Sequence, residues 1–230
     1  MKFINLIFII YFILSCSSKK DITEFENILG KENSKTLTYL VNDFESDYLS
    51  RQYPNLNTQK AYRKFLTDVL KGKNEYWKQI SKSSKKHFEK SNLRLEIYSI
   101  PDSIWIEPNP QELNSNYENI PMLKIKRKFL KPDGTFDYNI SESFFRYKKS
   151  MNVDSIIESR KNWVHINYAG SYIKALNSIS NKSQFLTEYL DMRDKAGRID
   201  QRQIADKMLK NKVDLSDYFI KRLIITEIIY

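Results

Sequence analysis

Apolar residues recur at helical spacing over most of this chain and alternate in its middle, a change of period that separates helical from extended parts. Ile22, Phe25, Ile28 and Leu29 form the first helical stripe, with Asp21 to Glu24 as a capping box and Gly30 as a stop. Leu37, Leu40, Val41, Phe44 and Tyr48 form the second, behind Asn33 and Ser34 and ahead of Tyr53-Pro54. Ala61, Tyr62, Phe65, Leu66, Val69 and Leu70 form the third, closed by Gly72. A further helix is predicted from about Glu75. It carries Tyr76, Trp77, Ile80, His87 and Phe88 on one side and Lys78, Lys82, Lys85, Lys86 and Lys90 on the other.

The middle differs. Leu93 to Tyr98 alternates, yet the same residues fit an extension of the preceding helix, and both readings stand. Pro101, Pro108 and Pro110 interrupt the chain around Ile104-Trp105-Ile106. Leu123, Ile125, Arg127 and Phe129 alternate with Lys124, Lys126 and Lys128, and Phe136, Tyr138 and Ile140 alternate beyond Lys131-Pro132-Asp133-Gly134. Proline presets φ and glycine accepts positive φ, so this tetrad predicts a turn and the flanks an antiparallel hairpin at about 122–140, joined by strands from 93–107. Leu123, Ile125 and Phe129 are expected to face inward and the three lysines water.

Helical spacing returns from about Asp154. Tyr172, Ile173, Leu176 and Ile179 mark one helix, and Leu186, Tyr189 and Leu190 the next, which Gly197 closes. Gly170-Ser171 reads as a helix start. Asp200 and Gln203 form a capping box, with Ile199 and Ile204 as its hydrophobic staple. Ser216 is the expected cap of the last helix, whose Phe219, Ile220, Leu223, Ile224, Ile225, Ile228 and Ile229 leave little polar surface and predict a core position. The fold expected is predominantly helical α+β, with N-terminal and C-terminal antiparallel helices around a small antiparallel β segment. No fixed-period repeat is visible.

The N-terminus has a pattern of its own. Lys2 precedes an apolar run from Phe3 to Leu14 broken only by Asn5, and Ile13-Leu14-Ser15-Cys16 follows. This run resembles the lipobox of bacterial lipoprotein precursors. The resemblance implies cleavage after Ser15, a diacylglyceryl thioether on Cys16, acylation of the new amino terminus, and residence in the cell envelope. It covers residues 1–16 and implies no activity. Ser17 after the lipidated cysteine is compatible with transfer to the outer membrane, facing the periplasm or the cell surface, if the source is Gram-negative. A span this short falls below the roughly 20 apolar residues a membrane helix needs. The domains expected are thus a signal peptide at 1–15, a lipidated tether at 16–20 and one globular domain at 21–230. A helix over 22–29 leaves Ser17 to Lys20 as free tether, reaching about 14 Å; disorder there would lengthen it, and the pattern allows both.

Composition narrows the chemistry. Cys16 is the only cysteine, which excludes a disulfide scaffold and a thiolate metal site. The net charge of +10 is compatible with nucleic acid, an anionic membrane or an acidic partner, and export argues against the first. Five scattered glycines assemble neither a phosphate loop nor a dinucleotide fingerprint. His87 and His165 are the only histidines, each without a second histidine or a cysteine nearby, and read as structural. Asp43, Glu45 and Asp47 flank an apolar stripe and read as a solvated face. No catalytic, cofactor or metal residue is nominated.

Positive charge gathers on the helix of Lys78 to Lys90 and on the strand of Lys124, Lys126 and Lys128, with Arg146, Lys148 and Lys149 following. The strand lysines are the candidate contact for anionic lipid heads or an acidic partner. In a chain this rich in lysine they also serve simply to keep a sheet wet. The functional expectation is a lipid-anchored envelope protein acting by binding, as a scaffold or accessory subunit. The alternatives are an inhibitor or immunity protein capturing an acidic partner, and an envelope hydrolase whose site is assembled from dispersed Asp, Glu, Ser and Tyr.

Overall fold

The computed structural model describes residues 17–72, 76–107, 122–144 and 152–230. The signal segment, Cys16, Glu75, Pro108, Pro110, Arg146, Lys148 and Lys149 lie outside these, as does the side chain of Trp77. The fold is predominantly helical α+β with a small antiparallel sheet.

Helix α1 (Lys19–Leu29) is capped by Ser18, whose hydroxyl accepts from the Asp21 N–H at 3.1 Å and donates to the Asp21 carboxylate at 2.7 Å. The capping box thus sits one turn before Asp21–Glu24, because Asp21 already has helical backbone and only extended Ser18 can turn its side chain onto the free N–H groups. The tether is corrected with it. Lys19 and Lys20 are helical, and Ser17 is bonded to Asp217 through its N–H at 3.1 Å and through its hydroxyl. Gly30 joins α1 to α2 (Lys31–Asp43) at φ +86°, a setting L side chains rarely adopt; its N–H closes α1 and its carbonyl opens α2.

Helix α2 runs on through a π-helical turn at Phe44–Leu49 and a last turn at Ser50–Gln52. The wider turn brings Phe44, Tyr48 and Leu49 into the core together, and Phe44 stacks on Tyr48 at 5.1 Å. Helix α3 (Thr58–Leu70) follows. The helix expected from about Glu75 is two pieces, α4 (Tyr76–Gln79) and α5 (Lys82–Lys90), because Ser81 caps the second by accepting from the Ser84 N–H at 3.2 Å. The ambiguous 93–98 segment resolves as helix α6 (Asn92–Ile97), with Leu93, Glu96 and Ile97 buried at helical spacing, and strand begins only at Tyr98.

The sheet comprises β1 (Tyr98–Glu107), β2 (Met122–Leu130), β3 (Phe136–Phe144) and β4 (His165–Ile166), antiparallel throughout in the order β3-β2-β1-β4. Pro101 does not end β1; the register shifts between Pro101 and Ser103, the bulge a strand proline requires. The Lys131–Thr135 connection is the expected turn, closed by Gly134 N–H to Lys131 O at 2.9 Å with Gly134 at φ +81°.

Helices α7 (Val153–Arg160), α8 (Ser171–Ser178), α9 (Gln184–Ala196), α10 (Gln201–Lys210) and α11 (Tyr218–Ile224) complete the chain, the last continuing as a π-helical turn at Ile225–Ile229. A Cβ at Gly170 would lie 2.0 Å from the Glu96 carbonyl, so only glycine lets α8 start against α6, where Glu96 accepts from the Ser171 N–H at 2.6 Å. Asp217 rather than Ser216 caps α11, because it is the Asp217 carboxylate that accepts from the Phe219 and Ile220 N–H groups at 2.8 and 3.1 Å, while Ser216 bonds to Asp214. Leu223, Ile224, Ile225 and Ile228 are wholly buried, as the apolar content of this helix predicts. Around it α1 packs on α8, α3 on α10, and α2 on α11, in one core.

Candidate functional site

Period-two alternation gives β2 two unlike faces. Leu123, Ile125 and Arg127 point inward and are buried, while Lys124, Lys126 and Lys128 point outward. Phe129 shares the inward face but is only half-buried, opposite exposed Asp137 at the far end of the hairpin.

On the outward face the lysines are not an open basic surface. Lys124 sits between Glu107 at 2.7 Å and Glu142 at 3.3 Å, and the Glu107 carboxyl is held below its usual range by hydrogen bonds from Lys124 and Trp105. Lys126 lies over the Tyr138 ring at 4.3 Å and Lys128 over the Phe136 ring at 3.7 Å. The lysines face outward as expected, and each also has a cross-strand partner, supplied by the registers β1–β2 and β2–β3. Beside them and Glu142 the face exposes apolar side chains. Phe136, Tyr138 and Ile140, at successive outward positions of β3, are 47%, 43% and 56% exposed. Strand β3 is an edge of the sheet, with one pairing partner among the described residues. The site is therefore a ridge of aromatic and aliphatic side chains threaded by ammonium groups.

Beneath it lies a group that the periodicity contained but did not flag. Arg127 occupies the inward frame of Leu123 and Ile125 and is 1% exposed. It donates to Ser141 Oγ at 2.8 Å and approaches His165 Nε2 at 3.1 Å. A guanidinium only donates, so Nε2 accepts and the proton resides on Nδ1. His165 keeps an exposed side, and the partial desolvation of its ring together with the Arg127 charge pushes its pKa below the ordinary value. His165 thus supports Arg127. His87 is exposed, with its ring against Tyr39 at 4.7 Å.

Asp43, Glu45 and Asp47 are all partly exposed, as expected of a solvated face, with Asp47 in an exposed pair with Arg51 at 2.9 Å; Glu45 in addition accepts from the Tyr62 hydroxyl at 3.1 Å and pairs with Lys221 at 2.8 Å. The π-helical turn carrying Glu45 and Asp47 rotates the face relative to a regular helix.

A surface cleft of about 620 Å³ runs along α2, lined by Lys31, Lys35, Ser34, Thr38, Tyr39 and Glu26 among others. Both signs of charge line it, and Glu26 is engaged by the Tyr218 hydroxyl at 2.5 Å. No group of three or more His, Cys, Asp or Glu side chains able to hold a metal occurs among the described residues. Nor is any described helix long and apolar enough to cross a membrane.

Deep in the core, Arg193 donates to Glu227 at 2.5 Å and to the Tyr189 hydroxyl, with side chains 1% and 4% exposed for the ion pair. Tyr98 donates to the Thr226 carbonyl and Tyr172 meets the Thr226 hydroxyl, both at 2.7 Å. Burial pushes both tyrosines well above their usual range. A solute has no access to this network, so it holds structure.

No protein-family model matches this sequence, and no curated protein or solved structure matches it significantly.

Proposed function

We propose that this protein is a lipid-anchored component of a bacterial cell envelope, held by a diacylglyceryl group on Cys16, that works by binding a protein partner through the outer face of its sheet. The supporting observation is the run of Phe136, Tyr138 and Ile140 on an edge strand, each more than two-fifths exposed and interleaved with Lys126 and Lys128. Contiguous apolar surface rimmed by polar groups is a mark of interaction sites, and aromatic side chains supply contact area at small entropic cost. The edge of β3 has no second pairing partner among the described residues, and such an edge adds backbone donors and acceptors for an extended segment of the partner. Capture of an acidic partner, as by an inhibitor or immunity protein, is favoured by one feature only: Lys126 and Lys128 have no carboxylate partner among the described residues.

The anchor and the face are tested separately. Cys16→Ser should leave an uncleaved precursor or release a soluble exported protein, and normal processing with unchanged membrane retention would refute the anchor. A photo-crosslinker at position 138 in the native envelope should give a discrete adduct that Ile140→Glu abolishes. Absence of any adduct, or one indifferent to Ile140→Glu, would refute the binding face.

A further inference from the structure

Resting on the lipid-anchored reading, we propose that the folded body lies directly on its own bilayer, with the surface around Ser17 against anionic headgroups and the Tyr230 end of the C-terminal helix pointing away. The decisive contact is at the point where the described chain begins. Ser17 gives both its N–H and its hydroxyl to one oxygen of Asp217, while the other oxygen caps α11. Asp217 is itself 8% exposed. The residue after Cys16 is thereby fixed to the helix that forms the core, and Ser18 is fixed in turn as the cap of α1. One peptide unit spans about 3.3–3.6 Å. A lipid on Cys16 would leave the protein no slack between acyl chains and folded surface.

The charges around this point complement such a surface. Lys19 and Lys20 are exposed in the first turn of α1, where the helix dipole disfavours cations. Neither has a carboxylate partner among the described residues: Asp21 is engaged by Ser18 and by Lys182 at 3.7 Å, Asp217 by Ser17 and the cap, and exposed Glu24, one turn on from Lys20, is not ion-paired with it. Anionic lipid heads provide the missing counter-charge. From Asp217, the helix and its π-helical turn run about 20 Å to Tyr230, which packs on Phe88 at 4.9 Å. Strand β1 starts where Tyr98 reaches Thr226, about 14 Å along that axis. The sheet therefore springs from the half of the molecule remote from the membrane.

The test uses the full acylated protein in vesicles. Cys16 carries lipid, so a single introduced thiol takes a donor fluorophore: Lys20→Cys near the proposed surface, Glu89→Cys at the Tyr230 end. Energy transfer to acceptor-labelled headgroups should be several-fold greater from position 20 than from 89, both in phosphatidylcholine and in phosphatidylethanolamine with phosphatidylglycerol. A flexible Gly-Ser spacer inserted between Cys16 and Ser17 should erase that contrast in phosphatidylcholine. In the anionic vesicles part of it should survive until Lys19→Glu is added. Equal transfer from both positions in the acylated parent would overturn the inference while leaving the anchor intact. A mature chain that mass spectrometry shows without acyl groups would overturn the anchor itself and the inference with it.

Discussion

Glu227→Gln should destabilise the protein far more than an ordinary polar substitution, because it strands a guanidinium in the core. Among the described residues Arg193 has one carboxylate partner, Glu227, and its Nε and one terminal nitrogen have no hydrogen-bond partner. Burial opposes the Arg193 charge, and Glu227 with the surrounding tyrosines outweighs that opposition and raises its pKa. Glutamine keeps the shape and an acceptor oxygen but removes the counter-charge. Breaking a buried pair on one side costs about 3–5 kcal/mol. At about 2–4 °C per kcal/mol for a domain of this size, melting should fall by about 6–20 °C. The pair itself is worth much less, since its desolvation offsets most of its attraction. Arg193→Met with Glu227→Leu should therefore recover most of the loss. Urea unfolding followed by tryptophan fluorescence and far-ultraviolet dichroism measures both variants. A loss below about 1 kcal/mol for Glu227→Gln would show that water or rearrangement solvates the guanidinium, and would refute the closed-core reading.

Most of the longer helices were legible in the sequence because they bury one stripe, and stripes survive without knowledge of their neighbours. Leu37, Leu40, Val41 and Phe44 define α2 whatever it packs against. Ends were less legible. Ser18 lies three residues before the expected box and Asp217 one after the expected cap, since a cap depends on which of several short polar side chains folds back. For the sheet, alternation predicts which way Lys124, Lys126 and Lys128 point but not what meets them. Their partners Glu142, Tyr138 and Phe136 arrive through a register set by the hairpin, and Glu107 through one shifted at the Pro101 bulge. Contacts between distant positions left no local trace. Ser17 with Asp217 and Arg193 with Glu227 are pairs of ordinary residues, separated by 200 and 34 positions, that only the packed helices bring together.

Two further predictions concern stability. Leu223 is wholly buried against the surrounding helices, so Leu223→Ala should cost about 2–5 kcal/mol in urea unfolding, and a loss below roughly 0.5 kcal/mol would place α11 outside the core. The other concerns pH, through His165. Its folded-state pKa lies below that of the unfolded chain, because partial desolvation of the ring and the Arg127 charge disfavour the imidazolium. The unfolded state therefore binds the proton first as pH falls. The stability that neutral His165 confers is complete above the unfolded pKa of about 6.5 and declines as pH drops through that value towards the folded one. His165→Gln keeps an acceptor for Arg127 and cannot be protonated. Its stability relative to the parent isolates this contribution, since carboxylates titrate in both proteins alike. The parent's advantage over His165→Gln should shrink between about pH 7.5 and pH 5, a range that spans the ordinary histidine pKa. A difference constant across that range would mean that His165 titrates alike in both states and does not serve Arg127 as a neutral acceptor.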